Sequence, residues 1–100
     1  MTVQLRIYNM KPGKLPDWER LFHSGIAELR TRQGFEILGA WSIPDAARFV
    51  WVLSYEGTRE DFDAADRAYY ELPEHEKLHE AALEYLDSGE AHFVEPMDGL

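Results

Sequence analysis

One hundred residues with 45% hydrophobic and 29% charged side chains suit one small domain around a single core, and exclude a disordered chain. Ten Lys/Arg against nineteen Asp/Glu give a net charge of −9. Such a surface repels phosphates and anionic lipid, so neither nucleic acid nor a membrane is expected as a partner. With no cysteine, disulfides, thiolate metal sites and cysteine nucleophiles are all excluded.

The acidity is uneven. Residues 1–55 hold seven Lys/Arg and five Asp/Glu, whereas residues 56–95 hold three and thirteen. The excess reads as an acidic, solvated helix face. Three Trp and five Tyr are more rings than so small an interior hides, which places some of them at a subunit interface or in a pocket. No apolar run approaches the roughly 18 residues of a membrane span, and the first residues lack a basic and apolar leader pattern. A soluble, cytoplasmic chain is therefore expected.

Residues 2–10 alternate, with Val3, Leu5 and Ile7 on one face and Gln4, Arg6 and Tyr8 on the other. This predicts a first strand whose aliphatic set faces helices. Lys11-Pro12-Gly13-Lys14 is a turn. Pro16-Asp17 opens a helix in which Trp18, Leu21, Phe22, Gly25, Ile26 and Leu29 form one apolar stripe, with His23 opposite. Basic Arg30-Thr31-Arg32 suits the helix's negative end, and Gly34 follows.

Residues 35–43 and 48–55 predict the second and third strands, joined by a turn at Pro44-Asp45-Ala46-Ala47. The unbroken apolar run 49–53 implies a third strand buried on both faces. Helices on one side leave the other side wet, so a second copy of the same sheet is the expected cover. Thr58 and Asp61 have capping-box spacing ahead of a helix with stripe Phe62, Ala65, Tyr69 and Leu72. Pro73 breaks it. A further helical segment runs to about Leu86, Ser88-Gly89 stops it, and residues 90–97 read as a closing strand. The order β-α-β-β-α-β is that of an α+β, ferredoxin-like domain over residues 1–100: an antiparallel four-stranded sheet, helices on one face, and a broken second helix.

Gln4-Leu-Arg-Ile-Tyr-Asn-Met-Lys-Pro-Gly-Lys14 resembles the opening of NIPSNAP-type domains, where an Arg-x-Tyr strand runs into a Pro-Gly turn and a helix. Leu38-Gly-Ala-Trp41 and Trp51-Val-Leu-Ser-Tyr55 are similar to that family's second and third strands, and Tyr69-Tyr-Glu-Leu-Pro-Glu74 to a Tyr-Tyr…Pro-Glu stretch of its last helix. The resemblance spans about residues 3–95. It implies a dimeric α/β barrel, two subunits stacked sheet on sheet, in a superfamily of cofactor-free monooxygenases, haem-binding enzymes and members without known activity. It implies no catalytic residues, because NIPSNAP-type domains have no agreed set.

His75-Glu76-Lys77-Leu78-His79 matches the H-E-x-x-H pattern, which on a helix presents two imidazoles to a zinc ion with the Glu as base. Leu72, Leu78, Ala82, Leu83 and Leu86 define an apolar arc with both histidines near its centre. A third ligand is missing: His92 lies in a strand, and Glu80 and Glu84 turn away. A metal-dependent hydrolase is accordingly the third reading. No cofactor is predicted, with haem and zinc left open. The first reading is a homodimer that binds or transforms a small apolar or aromatic molecule between sheet and helices, in a pocket lined by Phe22, Ile26, Tyr69, Leu72, His75 and His79. The second is a non-catalytic homodimeric interaction module. In both, Arg6, Tyr8, Val50 and Val52 are the expected dimer face.

Overall fold

In the computed structural model, which describes residues 1–100, the alternating start of the chain forms strand β1, Thr2–Met10. Gly13 makes the following turn at φ +76°, a conformation glycine adopts without steric cost. Helix α1 runs through residues 15–32 in three joined stretches: Leu15–Leu21, a π-helical turn at Phe22–Ile26, and Ala27–Arg32. Strands β2, Glu36–Ile43, and β3, Arg48–Tyr55, are joined by one 3-10 turn at Pro44–Ala46.

Helix α2, Arg59–Glu71, begins with the capping box: Thr58 Oγ1 accepts from the Asp61 backbone N–H, and the Asp61 carboxylate accepts from that of Thr58. Leu72 is extended, at φ −67° and ψ 138°, because Pro73 disfavours helical geometry in the residue before it. Pro73 then starts helix α3, Pro73–Tyr85, where its missing N–H costs nothing. Strand β4, Leu86–Val94, closes the chain.

The sheet order is β2-β3-β1-β4 with every neighbour antiparallel. Together with the β-α-β-β-α-β chain order, this is the ferredoxin-like fold. Helices pack on one face only. Between them and the sheet lies a core of Trp18, Phe22, Ile26 and Leu29 from α1, Phe49, Trp51 and Leu53 from β3, and Phe62 and Tyr69 from α2.

Two expectations are corrected. Strand β1 is turned over: Gln4, Arg6 and Tyr8 face the helices, and Leu5 and Ile7 lie on the open face. The register shows it, since Arg6 sits opposite Trp51 and Tyr8 opposite Phe49, both core residues, while Leu5 and Ile7 pair with Val52 and Val50. The cause is partnership. Arg6 donates to Gln4, Tyr70 and Asp66, so burial leaves no nitrogen of its guanidinium unpaired, and its carbon stem packs like an apolar residue. Second, the last strand begins at Leu86, and Ser88-Gly89 lie inside it. A Cβ at Gly89 would stand 2.8 Å from the Tyr8 ring, so the glycine marks a close cross-strand approach rather than a stop.

Candidate functional site

The break at Leu72-Pro73 separates α2 from α3, and beneath it a cavity of about 220 Å³ lies between helices and sheet. Arg6 and Tyr8 of β1 and Trp51 of β3 form its floor. Trp18, Ile26 and Arg30 of α1 form one wall. Tyr69 and Tyr70 end α2 above it, and His75, Leu78, His79 and Ala82 line it from α3, with Leu86 beside them. Tyr70 and His79 are exposed and mark the mouth. The π-helical turn of α1 contributes Ile26, and Gly25 in the same turn lets Leu78 approach, since a Cβ there would come within 2.6 Å of its side chain.

Of the six residues expected in a pocket, Ile26, Tyr69, His75 and His79 line this cavity. Phe22 does not: it is consumed by the core, its ring 4.8 Å from Phe49 and 5.1 Å from Trp51. Leu72 is half-buried at the helix junction, packed against the core. Of the four residues assigned to the open face, Val50 and Val52 are there, half-buried, whereas Arg6 and Tyr8 belong to the cavity floor.

The polar heart of the site is a cluster that no local motif announces. Asp66 Oδ1 accepts from Arg6 Nη2 at 3.0 Å and from Arg30 Nη1 at 2.7 Å. The Tyr70 hydroxyl accepts from Arg6 Nη1 at 2.8 Å and Arg30 Nη2 at 3.3 Å. Arg30, only 1% exposed, stacks 3.7 Å from the Tyr69 ring centre and 4.7 Å from that of Phe35. Burial works against the charge of Arg6, but Tyr8, Tyr70 and Asp66 outweigh it and hold the guanidinium protonated. Burial pushes the Tyr69 phenol up to about 12 in spite of Arg30, so it stays neutral.

A signal for this cluster did exist in the sequence. Arg30 continues the stripe Trp18, Phe22, Ile26 at spacings of four, and Asp66 stands one turn from both Phe62 and Tyr70. A charged residue on an apolar stripe requires a buried partner. Arg30 meets that requirement through Asp66, besides suiting the negative end of its helix.

His75 packs edge-on between Tyr69 and Tyr70, at 4.9 and 4.8 Å, and 5.7 Å from His79. Burial lowers its pKa, and His79 and Arg30 lower it further, so its imidazole is neutral at physiological pH and able to accept a proton. The two histidines are together, but no third His, Asp or Glu joins them in a group that could hold a metal ion. His92 lies across the sheet, paired opposite Leu5 on the open face. A catalytic zinc site needs three protein ligands, so these residues do not fit one. Nor does the cavity fit haem: about 220 Å³ is below even the roughly 300 Å³ lower bound for drug-sized ligands.

Fold and cavity together define a ferredoxin-like α+β protein with a half-enclosed, aromatic-walled pocket under a split second helix. No family model matches the sequence, and no curated protein matches it. Solved structures do match. An uncharacterized NIPSNAP-like domain protein from Burkholderia xenovorans is 23% identical over 97% of this chain and 85% of that one, with a TM-score of 0.83. A NIPSNAP family protein from Agrobacterium tumefaciens is 18% identical over 97% and 93%, at 0.85. A candidate antibiotic biosynthesis monooxygenase from Nitrosomonas europaea is 14% identical over 97% and 99%, at 0.72. The chain has the fold of NIPSNAP-domain proteins, and shares it with monooxygenase-like neighbours.

Proposed function

We propose that this chain is a NIPSNAP-type protein that works as a homodimer and binds a small, single-ring aromatic molecule in the cavity beneath the Pro73 break. The observation that carries the reading is the lining: tryptophan and tyrosine rings, two imidazoles and two guanidiniums converge on one space. An apolar wall with a few placed polar groups is the usual make-up of a small-molecule site. The volume of about 220 Å³ suits one substituted ring, since a cavity of roughly 150 Å³ holds benzene. Any chemistry at the site falls to His75, the neutral group able to take a proton from a bound molecule.

The dimer part rests on the open face. Leu5, Ile7, Val50 and Val52 lie there with Trp41 and Ile43, the last two 56% and 38% exposed. A second sheet laid on this face would bury them.

Titrating single-ring aromatics while following the fluorescence of Trp18 and Trp51 tests the pocket. Saturable quenching is expected, and Ala82→Phe, which fills the cavity, should abolish it with the fold intact. If no such compound binds the wild-type protein at millimolar concentration, the pocket reading fails.

A further inference from the structure

The cavity's walls offer donors far in excess of acceptors. Four buried side-chain nitrogens have no hydrogen-bond partner: Trp18 Nε1, Trp51 Nε1, Arg30 Nε and Arg48 Nε. The first three belong to side chains lining this one cavity. Buried orphan donors are rare in folded proteins, and three of the four occur in the walls of this one space. The charge points to a missing anion. Two guanidiniums, 5% and 1% exposed by residue, share the single carboxylate of Asp66, and no Asp or Glu lines the cavity. One positive charge therefore stays uncompensated in a chain whose net charge is −9. Burying such an excess is costly unless an anion meets it.

We infer that the molecule bound here is a small aromatic monoacid, one ring bearing a carboxylate, received by Arg30 and Arg6 while Trp18, Trp51 and Tyr69 enclose the ring. This deepens the aromatic-ligand reading above and rests on it. A carboxylate matches the planar donor pairs of a guanidinium. Its single charge equals the excess, whereas a doubly charged phosphate ester would overshoot it. A neutral aromatic would leave the charge unmet.

The test compares benzoate with benzamide, nearly the same shape and without charge, by calorimetry near neutral pH. Wild-type protein should bind benzoate about tenfold more tightly than benzamide. Arg30→Gln removes the excess charge and should bring the two within about twofold, while Arg30→Lys keeps part of the preference. Asp66→Asn guards against a misfolded Arg30 variant, because it acts in the opposite direction. It frees both guanidiniums, so benzoate should bind more tightly than to wild type and raise the melting temperature further, with benzamide unchanged. Equal affinity of wild type for the two compounds, or weaker benzoate binding by Asp66→Asn, overturns the inference and leaves the pocket standing. If neither compound binds wild type, the pocket reading falls and the inference with it.

Discussion

The two faces of the sheet come from alternate residues of the same strands, yet they are built on opposite plans. The covered face carries Gln4, Arg6 and Tyr8 beside Phe49, Trp51 and Leu53, and its buried guanidinium is partnered by Gln4, Tyr70 and Asp66. The open face carries Leu5, Ile7, Val50 and Val52 with the exposed Trp41 and Ile43, and is charged only towards its margins, where Glu90 and His92 of β4 stand beside Ile7 and Leu5 and Arg48 beside Ile43. Greasy residues face out and an arginine faces in. Alternation thus separates two faces without saying which is buried. The interior is the face where aromatic mass and paired polar groups can both be satisfied, and the outer face must find its cover elsewhere.

Charging the open face should give the largest effect. Sedimentation of the wild type at micromolar concentration is expected to show about twice 11.6 kDa, and Val52→Lys a single chain with an unchanged circular dichroism spectrum. A wild-type monomer with intact fold would remove the second copy from the account, and with it the reason for an apolar outer face.

Next in size is the contrast between adjacent residues. Trp51→Ala, on the covered face at 1% exposure, should cost about 3–5 kcal/mol in urea unfolding. Val52→Ala should cost about 1 kcal/mol in the isolated chain, since its side chain is only half-buried there. Similar losses at the two positions would contradict the assignment of faces.

Asp66→Ala comes third, at about 3 kcal/mol, because it leaves two buried guanidiniums without their shared carboxylate. Its unfolding midpoint should recover in part when Arg6→Leu is added, a coupling that a double-mutant cycle reads directly. Additive effects would show that the three groups do not act together.

The smallest effect is a pH dependence. His75 has a folded-state pKa below its unfolded value, so the unfolded chain binds the extra proton first as pH falls. The stability contributed by the neutral imidazole is complete above about pH 6.5 and declines below it, down to the depressed folded value. The stability of His75→Gln should fall less steeply over that range than the wild type's. Parallel profiles would mean that His75 is solvated in solution, which would take a wall out of the cavity.

Local chemistry made much of the architecture legible. The Thr58–Asp61 capping box starts α2 where its spacing says, and Pro73 splits the second helix because proline restricts the residue before it and removes a donor. His75 and His79 fall on the inward arc at helical spacing and do line the cavity, as do Ile26 and Tyr69. Phe22 goes to the core and not to the cavity because one stripe serves both, and only packing divides it between them.

What the sequence determines by itself is thus the order of elements, their caps and breaks, and which residues share a face, since each follows from interactions within a few residues. Which face of β1 is buried, and which charges meet there, depends on partners far apart in the chain. Asp66 is 60 residues from Arg6 and 36 from Arg30. Only the closed fold brings those three together, and a buried guanidinium is tolerable only once its carboxylate has arrived.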